Sequence, residues 1–132
     1  MKTALFVYGT LRPGRAPRAV RAVVATLRPV ATGRVRGRLY DLGEFPGAIL
    51  DEAAPGLVHG DVVELSAVSP ALAWFDEYEG FDASAPERSR FVRERCEAET
   101  AAGRISCWIW VLARAPARAR VIESGEWHGG AD

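Results

Sequence analysis

Two glutamates two positions apart, in Asp76-Glu77-Tyr78-Glu79-Gly80, carry the clearest chemical signal in this chain. Proline 70 and Gly80 bracket a segment with the start and stop signals of a helix: Ser69 suits the N-cap, Pro70 the first turn, and Gly80 the stop. On a helical wheel Ala71, Leu72, Trp74, Phe75 and Tyr78 fill one broad apolar arc. Glu79 falls inside that arc, Asp76 at its edge and Glu77 on the polar side. A carboxylate among aromatics loses hydration, so its pKa rises toward neutrality and it becomes an effective acid or base there. The competing reading is that Glu79 swings out to water at the helix end, or pairs with an arginine such as Arg93. An acid at a helix C-terminus opposes the macrodipole, so something should compensate it.

The second signal lies near the N-terminus, in Leu5-Phe6-Val7-Tyr8-Gly9-Thr10-Leu11-Arg12-Pro13-Gly14. Its first half is apolar, β-branched and aromatic, which predicts a strand buried on both faces. Gly9 and Pro13-Gly14 then break it. A buried strand ending in such a turn presents backbone N–H groups without ladder partners, and such donors can converge on an anion. An ordinary surface turn is the alternative.

The elements that must hold these two stretches follow from pattern. At 132 residues the chain is read as one domain, 1–132. Residues 17–27 carry Val20, Val23, Val24 and Leu27 at helical spacing. Strands are expected over 33–42, with a bulge at Gly37, over 48–50, and over 57–65. Residues 91–100 and 105–112 should form a long hairpin, its second arm apolar on both faces. Trp127 could pin the tail to the body. Strands outnumber helices without regular alternation, which predicts an α+β fold: a small, mixed, mostly antiparallel β-barrel with a few surrounding helices.

Composition narrows the partners. Seventeen basic and seventeen acidic side chains cancel, so no net field calls for nucleic acid or an anionic membrane. The arginines of 12–28 and 34–38 are interrupted by apolar residues and read as solvated faces. No run is long enough to span a bilayer and no signal peptide is evident, so a cytoplasmic protein is expected, with Cys96 and Cys107 as reduced thiols on adjacent strands. Two histidines, with no ligand spacing around His59, give no expectation of a metal.

With these residues in view, the chain resembles the gamma-glutamylcyclotransferase-like (AIG2-like) family over nearly its whole length. Tyr8-Gly9-Thr10-Leu11 resembles its loop after the first strand, and Gly37-Arg38-Leu39-Tyr40-Asp41-Leu42 with Phe45-Pro46-Gly47-Ala48 its next two strands. Asp76-Glu77-Tyr78-Glu79-Gly80 is similar to its Asp-x-x-Glu-Gly signature, Phe91-Val92-Arg93 to its Tyr-x-Arg strand start, and Ser124-Gly125-Glu126-Trp127 to its Ser-Gly-Asp-Trp ending. The resemblance implies a cavity where the Tyr8 loop faces Glu79, with Glu79 as general acid/base. It implies substrate binding by Tyr8, Gly9, Thr10, Leu11, Tyr40 and Arg93. The implied reaction cyclises a γ-glutamyl group to 5-oxoproline and releases an amine or amino acid, with no cofactor, by a monomer. Phe91 in place of Tyr and Arg15-Ala16-Pro17-Arg18 after the loop depart from the family pattern. A non-catalytic module binding a γ-glutamyl compound or another carboxylate is the alternative. A phosphate-binding loop is disfavoured, since Gly9 lacks the Gly-rich, Lys-terminated context.

Overall fold

The structure is a computed structural model describing residues 2–14, 16–66 and 70–128. Ser69 and Arg15 lie outside the described residues. The chain runs through β1 (Lys2–Val7), α1 (Arg21–Val24), β2 (Arg28–Asp41), β3 (Pro46–Leu50), β4 (Leu57–Ser66), α2 (Ala71–Glu79), β5 (Phe91–Thr100), β6 (Gly103–Leu112) and β7 (Arg120–Val121). Strand order β2-β4-β1-β6-β5 closes on itself, because β5 also pairs with β2 through Gly33↔Thr100 and Arg34↔Glu99. The β1–β6 pair is parallel and the others are antiparallel, with β3 and β7 added beside β2. The expected mixed barrel with a few helices is what the chain forms.

Alternation along the strands divides the core in two. Phe6, Val58, Val62, Cys107, Ile109 and Val111 point into the barrel. Leu5, Val7, Val63, Leu65 and Trp110 point outward, where α1 and α2 cover them through Val24, Ala71 and Phe75. β1 and β6 are therefore buried on both faces, which is why both lack polar alternation.

Three elements differ from expectation. Residues 17–27 hold a 3₁₀ turn (Arg18–Val20) and a single α-turn (Arg21–Val24) instead of one helix. The apolar face is nonetheless the one read from spacing, with Val20, Val24 and Leu27 buried. Runs of valine lower helix propensity, and this segment gains its order from packing. β2 starts five residues earlier than predicted, and its irregularity falls between Pro29 and Ala31. Gly37 sits in regular register opposite Leu50. α2 buries only Ala71 and Phe75 fully; Trp74 and Tyr78 are 37% and 40% exposed and stack on each other, 5.6 Å apart at 7°. The barrel surface touches a narrow stripe of the helix, so the flanking aromatics pair with each other.

The tail returns as expected. Trp127 is buried in the barrel cluster, and His59 N–H donates to the Gly125 carbonyl at 2.8 Å. Trp127→Ala should therefore cost about 3–5 kcal/mol, the usual range for deleting a buried large aromatic. Urea denaturation measures this, and a change within about 0.5 kcal/mol would mark the tail as loosely attached.

Candidate active site

Tyr8 follows the last residue of β1, and its side chain is drawn into the barrel. Its hydroxyl donates to the Trp110 carbonyl at 2.6 Å and accepts from the Ala48 N–H at 3.1 Å. One side chain thus ties the end of β1 to β6 and β3. Burial, and then the charge of Glu79, push the Tyr8 phenol well above its ordinary value. It therefore stays protonated and serves as a fixed hydrogen-bonding clamp.

Beyond Tyr8 the chain turns sharply, with Arg12 N–H closing on the Gly9 carbonyl at 3.1 Å. That bond leaves the N–H groups of Gly9, Thr10 and Leu11 without a protein partner among the described residues. The need for glycine here comes from packing: a Cβ at position 9 would stand 2.8 Å from Cγ of Pro46. A valine at this position would damage folding as well as any ligand approach.

Arg12 corrects the reading of residues 12–28 as a solvated face. Its guanidinium is buried, with Nε 2.7 Å from Asp61 and Nη1 3.3 Å from Glu126. These contacts fasten the loop to β4 and to the C-terminal segment.

The opposite wall is the end of α2. Gly80 takes the left-handed conformation, φ 77°, that stops a helix readily only at glycine. This leaves Glu79 in the last turn, recessed from solvent. Among the described residues it has no ion pair and no hydrogen-bond donor. Burial raises its pKa from 4.5 to about 7. Arg93, a possible partner from sequence, pairs instead with Asp76 at 3.0 Å. The Trp110 indole N–H donates to the same carboxylate oxygen at 2.8 Å. Asp76 thus anchors α2 to the barrel while Glu79, three residues later, is left unpaired. Glu77 is exposed.

Between these walls lies a cavity of about 530 Å³. Tyr8, Gly9, Thr10, Leu11 and Glu79 all line it, so the structure brings five of the seven expected residues together. Tyr40 and Arg93 do not line it; Tyr40 pairs in β2 with Gly47 and Val121, and the Arg93 guanidinium lies 4.4 Å over Trp108. Several lining residues were not assigned to the site from sequence, although Phe91 was noted there as standing in place of a tyrosine. Phe45 and Phe91 pack 6.0 Å apart along the cavity, and the Arg90 guanidinium rests 5.0 Å over Phe45. Trp110 forms part of the wall, and its place in an alternating strand, two residues from Trp108, is the signal that could have placed it. The Tyr78 hydroxyl meets Thr10 Oγ1 at 3.2 Å, linking loop and helix beside the cavity.

This geometry agrees with comparison to other proteins. Residues 5–129 match the family described as gamma-glutamyl cyclotransferase, AIG2-like. The chain belongs to that family. Among solved structures, the fold is similar to a mouse AIG2-like protein (TM-score 0.74, 17% identity, 96% of this chain and 88% of that one). It is also similar to protein ytfP of Escherichia coli (TM-score 0.66, 26% identity, 95% and 96%). YkqA of Bacillus subtilis aligns with 96% of this chain at TM-score 0.71 and 23% identity, but this chain spans only 40% of YkqA. A further structure named gamma-glutamyl cyclotransferase aligns at TM-score 0.63 and 13% identity, over 92% of this chain and 70% of that one. No curated protein sequence matches the chain. The gamma-glutamyl cyclotransferase-like barrel thus recurs at low identity, with the Tyr8 loop and Glu79 on facing walls here.

Removing the Arg12 charge should loosen this loop. Arg12→Met removes the cation that reaches both Asp61 and Glu126, and should cost about 2–4 kcal/mol. Arg12→Lys should recover only part of that, because a compact ammonium cannot match the guanidinium fork that reaches Asp61 and Glu126 together. Thermal and chemical denaturation of both variants checks the order; equal stabilities for parent and Arg12→Met would show the network to be inert.

Proposed function

We propose that this protein cyclises a γ-glutamyl group to 5-oxoproline, releasing the amine or amino acid attached to it. The observation that carries this reading is the Glu79 carboxyl, unpaired among the described residues and held near neutrality by burial, across a cavity from three backbone amides that likewise have no partner among those residues.

The reaction needs three things from the protein. The nucleophile is the substrate's own α-amino group, which is protonated in neutral water. Glu79 as carboxylate takes a proton from it. The free amine then attacks the γ-amide carbonyl, forming the new C–N bond of a five-membered ring; the attacking nitrogen gives up a second proton, the bond to the leaving nitrogen breaks as Glu79 returns its proton there, and the released amine carries both protons away as its ammonium form. A carboxyl of pKa about 7 is populated in both forms at neutral pH, so it can serve both steps.

The substrate's α-carboxylate needs donors that neither react nor titrate. The Gly9, Thr10 and Leu11 amides meet that need, and hold the carboxylate opposite the base. Fixing the glutamyl chain at that end limits it to conformers near ring closure, which converts a rare encounter into a probable one. Tyr8, fixed by two hydrogen bonds to the barrel, and Trp110, which bonds Asp76, set the separation of amides and base. The apolar wall of Phe45, Pro46 and Phe91 excludes water and strengthens these polar contacts. The rest of the cavity, along Phe45 and Arg90, has room for the leaving group.

The test is a screen of γ-glutamyl amino acids, amines and isopeptides for released 5-oxoproline, with two variants alongside the parent. Glu79→Gln keeps shape but accepts no proton, and turnover should fall about a hundredfold or more. Glu77→Gln should leave turnover nearly unchanged. The folded pKa of Glu79 lies above its unfolded value of 4.5, so this carboxyl destabilises the fold increasingly as pH rises from 4.5 to about 7. Glu79→Gln removes that slope, so its melting temperature should exceed the parent's by more at pH 8 than at pH 5. Retained turnover in Glu79→Gln overturns the assignment. Tight binding of a γ-glutamyl compound without release would make the protein a binding module.

A further inference from the structure

A second pair of reactive groups lies away from this cavity. The β5–β6 register sets Cys96 directly opposite Cys107. Opposed residues of an antiparallel pair project from the same face, with Cα atoms about 4.5–5.5 Å apart. That separation falls inside the span of about 4.4–6.8 Å that a disulfide bridges. Both side chains are free thiols, and both belong to the cluster inside the barrel.

The two differ in access. Cys107 has no exposed surface, whereas Cys96 is half-buried and opens into a second cavity of about 500 Å³ between β2 and β5. Arg34, Arg36, Arg95 and Arg104 line that cavity together with an equal number of acidic residues, so neither sign of charge dominates it. Each thiol's ionisation is influenced most by the other: Cys96 is pushed up and Cys107 is lowered. That mutual influence is the behaviour of thiols in contact.

We propose that Cys96 and Cys107 form a thiol–disulfide exchange site, in which Cys96 is the entry thiol and Cys107 the resolving thiol for a small uncharged disulfide reaching the second cavity. In the first step Cys96 passes its proton to the Cys107 thiolate as the Cys96 sulfur attacks one sulfur of the disulfide R–S–S–R, forming Cys96–S–S–R and releasing RS⁻, which takes that proton from Cys107. In the second the Cys107 thiolate attacks the Cys96 sulfur, forming the cross-strand disulfide and releasing the second RS⁻. The two protein thiols together lose two electrons and two protons, and R–S–S–R is reduced to two R–SH. The proposal is independent of the γ-glutamyl reading, because neither cysteine lines the first cavity.

Bis(2-hydroxyethyl) disulfide is a suitable probe, being neutral and free of any γ-glutamyl group. Treated under native conditions, the intact protein should lose the mass of two hydrogens, retain no probe, and show no thiol open to alkylation after unfolding. Cys107→Ala should stop at the first step and keep one thioethanol group on Cys96. Cys96→Ala should stay unmodified while folded, because Cys107 is buried. A parent whose thiols both stay alkylatable, or that accumulates a stable mixed disulfide, overturns the proposal; so does Cys96→Ala reacting as fast as the parent. The parent's mass change decides the matter even if a variant fails to fold.

Discussion

The Tyr8 hydroxyl is the junction on which the site's geometry depends. It is buried, so both its donor and its acceptor capacity must be met inside the protein. Trp110 and Ala48 meet them, from strands that are not neighbours in the barrel. That arrangement fixes where β1 ends and therefore where the free amides of Gly9, Thr10 and Leu11 begin. Trp110 carries the constraint onward, since its indole N–H holds Asp76 and with it the last turns of α2. Loop and helix are thus registered to each other through one residue of β6.

Charge is distributed around the cavity with a clear division. Arg12 and Arg93 each lie close to the site in sequence or space, yet each is occupied by another carboxylate, Arg12 by Asp61 and Glu126, Arg93 by Asp76. Among the described residues Glu79 has no such partner for its buried carboxyl. An unpaired carboxylate in an apolar pocket would be costly, and the group relieves part of that cost by holding its proton. The result is a carboxyl poised near neutral pH, a state that a direct ion pair with a guanidinium would abolish by stabilising the charged form. The pairing of Asp76 therefore matters to Glu79 through what it withholds.

Much of this arrangement was legible in sequence, and the exceptions have physical causes. The opposite fates of Glu77 and Glu79 follow from helical period, and Gly80 as the stop follows from the left-handed turn it adopts. The double burial of β1 and β6 follows from their unbroken apolar runs. Trp74 and Tyr78 misled because a wheel shows which residues share an arc but not how wide a stripe the partner surface covers. Arg12 misled because a buried arginine is identified by carboxylates distant in sequence, at Asp61 and Glu126. Tyr40 and Arg93 fall outside the cavity because strand register, which sequence alone leaves open, turns them to other partners. The long β2 was read short because Pro29 and its bulge disguise the strand's start.

The central claim is that burial without a partner holds the Glu79 carboxyl near neutrality. Carbon-13 labelling of glutamate side chains and NMR titration of the folded protein measure this directly, with the Glu79 signal assigned as the one absent from Glu79→Gln. The account predicts a midpoint of about 7 for that carbon, set apart from the exposed glutamates, and an acid limb of 5-oxoproline release at the same pH. A Glu79 carboxyl titrating near the ordinary value of 4.5 would contradict it.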